Sequence, residues 1–224
     1  MNETARRIEI GGIFSAALGD IGRDIARYGG FAVVIGVLGG LTDTYLPQAG
    51  NMASNIALFF LSVLAVYHTL RTRLGAVEIS PRFGAAFGFS LVSGLAMALG
   101  FVLLIVPGVL LFVRWAVGLP ALLRENLGIT EAMRRSSVLT QGNRWRILGL
   151  GLLIWVPFLI VMVAIGGLSA AFAGEASLDS LLFNILVNLA AGGASILSSV
   201  CWTEAYLTLS REDESGRSLA EIFA

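Results

Sequence analysis

Apolar residues along most of this chain run together in long blocks rather than alternating with polar ones. Blocks at 29–46, 52–70, 83–106, 147–168 and 181–207, with a shorter one at 108–123, reach or approach the span length of a membrane helix. That length is about 20 residues for a hydrocarbon core of about 30 Å. No polar residue separates the third block from the fourth, so a very tight turn is expected at Pro107-Gly108. Pro107 should end the third helix, because it lacks an N–H and restricts Val106. The fourth block is read as a short span, with one arm of a re-entrant hairpin as the alternative. Two other stretches have helical periodicity. Phe14, Ala17, Leu18, Ile21 and Ile25 recur at helical spacing within 8–27, while Asp20, Arg23, Asp24 and Arg27 lie elsewhere on the surface. Within 129–141, Ile129, Ala132, Met133 and Leu139 oppose Glu131, Arg134 and Arg135, with Thr130 as the expected N-cap. Both stretches precede a span and are expected to lie in the headgroup layer. The expected fold is all-α: a polytopic membrane protein with six transmembrane helices and cytoplasmic-face amphipathic helices. It forms a single membrane domain over 1–224, with an amphipathic N-terminal helix at 1–28 and six spans within 29–209. An interfacial helix lies near 129–141, and a cytoplasmic tail covers 210–224.

Composition strengthens this reading. Of the 224 residues, 56% are hydrophobic and only 13% charged, and the mean hydropathy is +0.83. A soluble domain carries about 25% charged residues. The lone cysteine, Cys201, excludes a disulfide scaffold, and zero net charge excludes a basic nucleic-acid binder. The charge is nevertheless unevenly placed. All the basic residues are arginines, and with six spans every one except Arg114 falls on one side: Arg6, Arg7, Arg23 and Arg27; Arg71, Arg73 and Arg82; Arg124, Arg134, Arg135, Arg144 and Arg146; Arg211 and Arg217. The opposite loops, 47–51 and 169–180, carry only Glu175 and Asp179. The positive-inside rule then puts both termini in the cytoplasm, and an odd number of spans would scatter the arginines. The N-terminal region, acidic as well as basic and without a short apolar core, is not expected to be a signal peptide.

Asp43, Arg114 and Glu204 fall inside spans, where ionisable groups are costly and turn toward a bundle interior or a polar cavity. Counting from the span ends at about 1.5 Å per residue brings Asp43 and Arg114 to similar depths, so an Asp43–Arg114 contact is expected. Glu204 should lie nearer the cytoplasmic side, by His68, Arg124 or the arginine cluster. Such groups read either as a polar pathway or as structural pairs. Gly36-x-x-x-Gly40 and Gly84-x-x-x-Gly88 suit close helix approach. Catalysis finds little support. His68 is the only histidine, Ser93 has no evident partner, and there is neither a nucleotide-binding loop nor a metal-ligand cluster. No catalytic residue, metal or cofactor is expected.

The richest stretch holds Pro107-Gly108, Arg114-Trp115, Pro120, Glu125, Glu131-Ala132, Arg135-Ser136 and Gly142-Asn143 in that order. This order resembles the membrane domain of some bacterial glycerophosphoryl diester phosphodiesterases and related stand-alone six-helix inner-membrane proteins. In the fused members, hydrolysis belongs to a separate soluble barrel with acidic metal ligands, for which a chain mostly spent on spans is expected to have no room. The resemblance therefore implies membrane architecture and carries over no catalytic residue. Arg134, Arg135 and Arg144 are expected to sit among anionic lipid phosphates, and Gly142-Asn143 to stop a helix. Pro107, Gly108 and Gly142 are expected to be structural. The expected protein is a non-catalytic structural or interaction module of a bacterial inner membrane, linked to envelope or lipid homeostasis. Its expected partners are membrane lipids, with anionic head groups, and a membrane protein, with no nucleic acid. The alternative is a small transporter or channel with a path past Asp43, Arg114 and Glu204.

Overall fold

The computed structural model describes residues 8–75, 79–173 and 181–222. Among the described residues the regular structure is entirely α-helical. The helices are α1 (Ile10–Arg23), α2 (Ile25–Tyr45), α3 (Pro47–Leu74), α4 (Phe83–Leu103), α5 (Ile105–Trp115), α6 (Gly118–Arg124), α7 (Ile129–Leu139), α8 (Arg144–Ala173) and α9 (Leu181–Ile222). Six segments are long and apolar enough to span a membrane: Ile25–Tyr45, Met52–Leu74, Phe83–Leu103, Ile105–Arg124, Arg144–Leu168 and Leu181–Ser215. Among the described residues the chain adopts the all-α architecture read from the apolar blocks, with six candidate spans. Arg6, Arg7, Glu175 and Asp179 lie outside the described residues, as does the side chain of Arg217.

The turn between α2 and α3 is tighter than the sequence implied, and the tight turn between α4 and α5 falls earlier than expected. α2 and α3 are separated by Leu46 alone (φ −133°, ψ 58°), whose N–H donates to the Thr42 carbonyl at 2.8 Å. The loop expected at 47–51 is therefore helical from Pro47 onward; a proline fits the first turn, where its missing N–H is not needed. α4 and α5 are likewise separated by Leu104 alone, in extended conformation (φ −163°, ψ 144°). Pro107 does not end α4; it sits in the first turn of α5, three residues past the break. The same missing N–H explains both outcomes, because a proline that cannot continue one helix can open the next. The tail expected after 209 continues α9 as helix to Ile222.

Packing divides the chain into two compact units: Met1–Ala17 with Val66–Leu150 and Val200–Ala224, and Leu18–Ala65 with Gly151–Ser199. In the second unit, α2 lies directly on α9. A Cβ added at Gly36 would come 3.0 Å from the Leu189 Cα, and one at Gly40 would come 2.6 Å from the Ile185 nitrogen. The small-residue motif thus brings two backbones together, as its spacing implied.

The first unit holds α4 to α7 and the adjoining parts of α3, α8 and α9. Its core includes Leu70, Leu122, Leu123, Ile147, Leu150 and Tyr206. Ile8, Ile13 and Ala17 are buried, whereas Leu18 and Ile25 are exposed, so the packed face of the N-terminal helix is turned from the one read off the spacing. The breaking residue Asp24 separates Ile25 from α1 altogether.

Candidate functional site

The first unit concentrates its polar chemistry around α6 and α7. α6 is short, with Pro120, Ala121, Leu122 and Leu123 all buried. Asn126, in the left-handed region at φ 54°, turns the chain out of it, and the Leu127 carbonyl accepts from Arg82 Nη1 at 2.8 Å. α7 is then capped by Gly128, whose N–H donates to Glu131 Oε2 at 2.9 Å. Thr130, the expected cap, lies inside the helix instead. Glu131 takes over because a carboxylate at the third helical position reaches back to the open N–H. Ala132, Ser136 and Leu139 form the buried face of α7, and Ser136 Oγ donates to the Arg114 carbonyl at 2.8 Å. Gly142 ends the following turn at φ 87°, in the region that favours glycine, and α8 begins at Arg144.

Arg135 is the hub of this region. Its Nε donates to Glu125 Oε1 and Oε2 at 2.9 and 3.0 Å, and its Nη1 donates to Asp213 Oδ2 at 2.7 Å. Tyr206 OH adds a 2.9 Å bond to Glu125 Oε1. α7 is thereby tied to α9 and to the residue that follows α6. Burial alone would lower the Arg135 pKa. The hydrogen bonds to Asp213 and Glu125 outweigh that effect and hold the guanidinium above its ordinary range. Arg135 was expected to face lipid phosphates; two carboxylates occupy it instead. The sequence offered Glu125 and Arg135 as landmarks of the same stretch, but the Asp213 and Tyr206 side of the network comes from a different block of the chain.

Asp43 and Arg114, expected as a pair, belong to different units. Asp43, half-buried in the second unit, accepts from Asn188 Nδ2 at 2.7 Å and from Ser54 Oγ at 3.1 Å. Asn184 Nδ2 donates to Thr44 Oγ1 at 3.0 Å beside them. Arg114 is exposed and lies alongside α7. α5 has only 11 residues, about 16 Å of helix, and Arg114 lies at the end of it that meets α7. Glu204 meets the expectation of an arginine-cluster partner: Arg73 Nε donates to its Oε1 at 2.7 Å, and the carboxylate is nearly buried.

The other two arginines expected to face lipid, Arg134 and Arg144, are exposed, and Arg114 joins them. Together with Trp115, Ser137 and Gln141 they line a groove of about 410 Å³ between α5, α7 and the start of α8. Among its described lining residues there is no carboxylate. A neighbouring groove of about 560 Å³ shares Arg134 but contains Glu125 and Glu131. On the other side of Arg144, an apolar groove of about 410 Å³ runs between α5 and α8, lined by Ile105, Val109, Leu110, Val113, Trp145 and Leu148. Gly108 faces α4, where an added Cβ would come 2.5 Å from the Phe101 ring, so Gly108 keeps the α4–α5 hairpin closed.

Ser93 is buried and donates to the Phe89 carbonyl at 2.6 Å. No group of three or more metal-ligating side chains occurs among the described residues.

A family model described as the membrane domain of glycerophosphoryl diester phosphodiesterase matches residues 90–201. The chain belongs to that family. It is a multi-pass membrane protein. The matched stretch of this membrane domain takes in α5, α6 and α7 with Arg114, Glu125, Arg134, Arg135 and Arg144, and leaves Asp43, Glu204 and Asp213 outside it. No curated protein and no solved structure matches the chain.

Proposed function

We propose that this protein is a membrane-embedded structural or interaction module without chemistry of its own, serving envelope or lipid homeostasis. Its setting is a bacterial inner membrane, with both termini in the cytoplasm and membrane lipids as its immediate partners. The observation that carries this reading is where the carboxylates Asp43 and Glu204 are spent. Glu204 is engaged by Arg73, and Asp43 by Ser54 and Asn188. Groups bonded in this way hold helices together, as buried polar groups in membrane proteins commonly do. The arginine distribution supports the orientation, and the family supports the membrane setting. A conduit would need these groups to line a continuous watered path. That reading loses support where Glu204 is nearly buried against its partner.

Reconstitution tests the proposal. Proteoliposomes holding the full chain should show no ion or small-solute flux above empty vesicles. Asp43→Asn and Glu204→Gln should alter only the protein's stability. Flux that both substitutions abolish, without loss of folded protein, would establish a transporter instead.

A further inference from the structure

Three arginines from three elements meet in one groove. Arg114 comes from the end of α5, Arg134 from α7 and Arg144 from the first turn of α8. None has a carboxylate partner among the described residues, and the groove contributes none. The acids of the neighbouring groove are already in use: Glu125 holds Arg135 and Tyr206, and Glu131 holds the Gly128 N–H. Clustered positive charge of this kind costs stability through self-repulsion unless an anion enters. The first turn of α8 also carries no acidic residue, so the positive end of the helix dipole adds to the same field.

The basic groove does not stand alone. Arg144 also borders the apolar groove between α5 and α8. On α5 that groove follows Ile105, Val109 and Val113, each four residues from the last, which is one face of the helix. Those eight residues of rise cover about 12 Å, close to the depth of one leaflet, about 15 Å. The groove starts at the α4–α5 turn, where Val102, Leu103, Leu104, Ile105 and Val106 are all strongly exposed. Such a surface belongs in hydrocarbon. At the other end, beside Arg144, Trp145 is 85% exposed, the placement of an interfacial aromatic. A ligand that filled both grooves would have an anionic head and an apolar tail one leaflet long.

We propose that Arg114, Arg134 and Arg144 bind the phosphate of one anionic phospholipid whose acyl chain lies in the α5–α8 groove. This deepens the module reading by naming a ligand class, and it rests on that reading for its membrane setting. Arg134 and Arg144 make the head-group site, as the sequence implied, while Arg114 is a member that only the short α5 brings into place. The zwitterionic lipids share the phosphate but carry a compensating cation, so the groove should prefer a lipid with net negative charge. Each arginine should contribute about a fivefold preference, and all three together about a hundredfold.

The test is native mass spectrometry of the purified full chain with equimolar phosphatidylglycerol and phosphatidylcholine. The wild type should retain one phosphatidylglycerol in preference to phosphatidylcholine. Replacing Arg114, Arg134 and Arg144 together by Gln should lower that retention about a hundredfold, whereas the exposed control Arg211→Gln should not. Val109→Trp fills the apolar groove with every arginine intact and should also displace the lipid. If the triple variant folds poorly, Arg134→Gln alone should still lower retention about fivefold. Equal retention of both lipids, unchanged retention in the arginine variants, or full competition by free glycerol phosphate would overturn the site. Those results would leave the module reading standing. That reading fails separately, if bound lipid is chemically converted or flux appears in the reconstituted vesicles.

Discussion

Arg135 and Glu125 form a two-point contact, with the guanidinium Nε placed 2.9 and 3.0 Å from the two carboxylate oxygens. The same arginine reaches Asp213 at 2.7 Å, so one side chain on α7 fixes both the end of α6 and the long helix α9. Its side chain is 17% exposed, and each acid is 25% exposed. Removing it would strand two acids beside each other in a poorly solvated place.

Arg135→Ala should therefore be among the more damaging single changes outside the packed core. After discounting for the partial exposure of the acids, a loss of about 1–3 kcal/mol is expected. For a chain of this size that corresponds to a fall in thermal midpoint of several degrees. Arg135→Lys should recover only part of it, because an ammonium cannot reproduce the planar geometry. Arg134→Ala, on the exposed side of the same helix, should leave the midpoint within a degree or so. Thermal unfolding of the three variants in one detergent checks this, and an equal response of Arg134 and Arg135 would contradict it.

The close approach of α2 and α9 gives a second expectation. Gly40→Ala would place a Cβ 2.6 Å from the Ile185 backbone nitrogen, which a flexible side chain cannot relieve. Overpacking of this kind costs about 1–3 kcal/mol. Gly193→Ala, with no heavy atom within 4 Å of the added carbon, should be neutral or slightly stabilising. Folded yield and thermal midpoint distinguish the pair.

The Asp43 network gives a third. Asp43→Ala removes the acceptor for Asn188 and Ser54 within the second unit, and Asp43→Asn keeps an acceptor oxygen. The alanine variant should lose more stability than the asparagine variant, by about 1 kcal/mol or more. Equal losses would mean that the charge itself, rather than hydrogen bonding, is what the site requires.

Much of this was readable in advance, and the exceptions share a physical cause. Block length and arginine placement reported the spans, because both are averages over many residues that no single contact can reverse. Gly36 and Gly40 were legible for a similar reason: their spacing alone places them on one helix face. The surroundings of Arg114 were harder to read because they depended on where one turn fell, and Leu104 rather than Pro107 makes that turn. Thr130 lost the cap to Gly128 once Glu131 could reach back. Arg134 and Arg135 are adjacent and chemically identical, so composition could not say which faces outward. Asp213, 78 residues away from Arg135, decided it.

Orientation can be tested independently. On a Cys201→Ser background, single cysteines at Gln141 and at Leu46 should differ in labelling by a membrane-impermeant thiol reagent added to intact cells. Leu46 should label, and Gln141 only after the membrane is opened. In the wild-type chain, the buried Cys201 should not label in either case while the protein is folded. The reverse pattern would invert the proposed topology.

The central claim is that the carboxylates Asp43 and Glu204 inside the spans are there to hold helices together. The Arg73–Glu204 pair, joined at 2.7 Å, tests it most directly. Arg73→Glu and Glu204→Arg should each lower the thermal midpoint of the purified protein by several degrees. The exchanged double variant should recover most of that loss. A double variant no more stable than the worse single one would contradict the account.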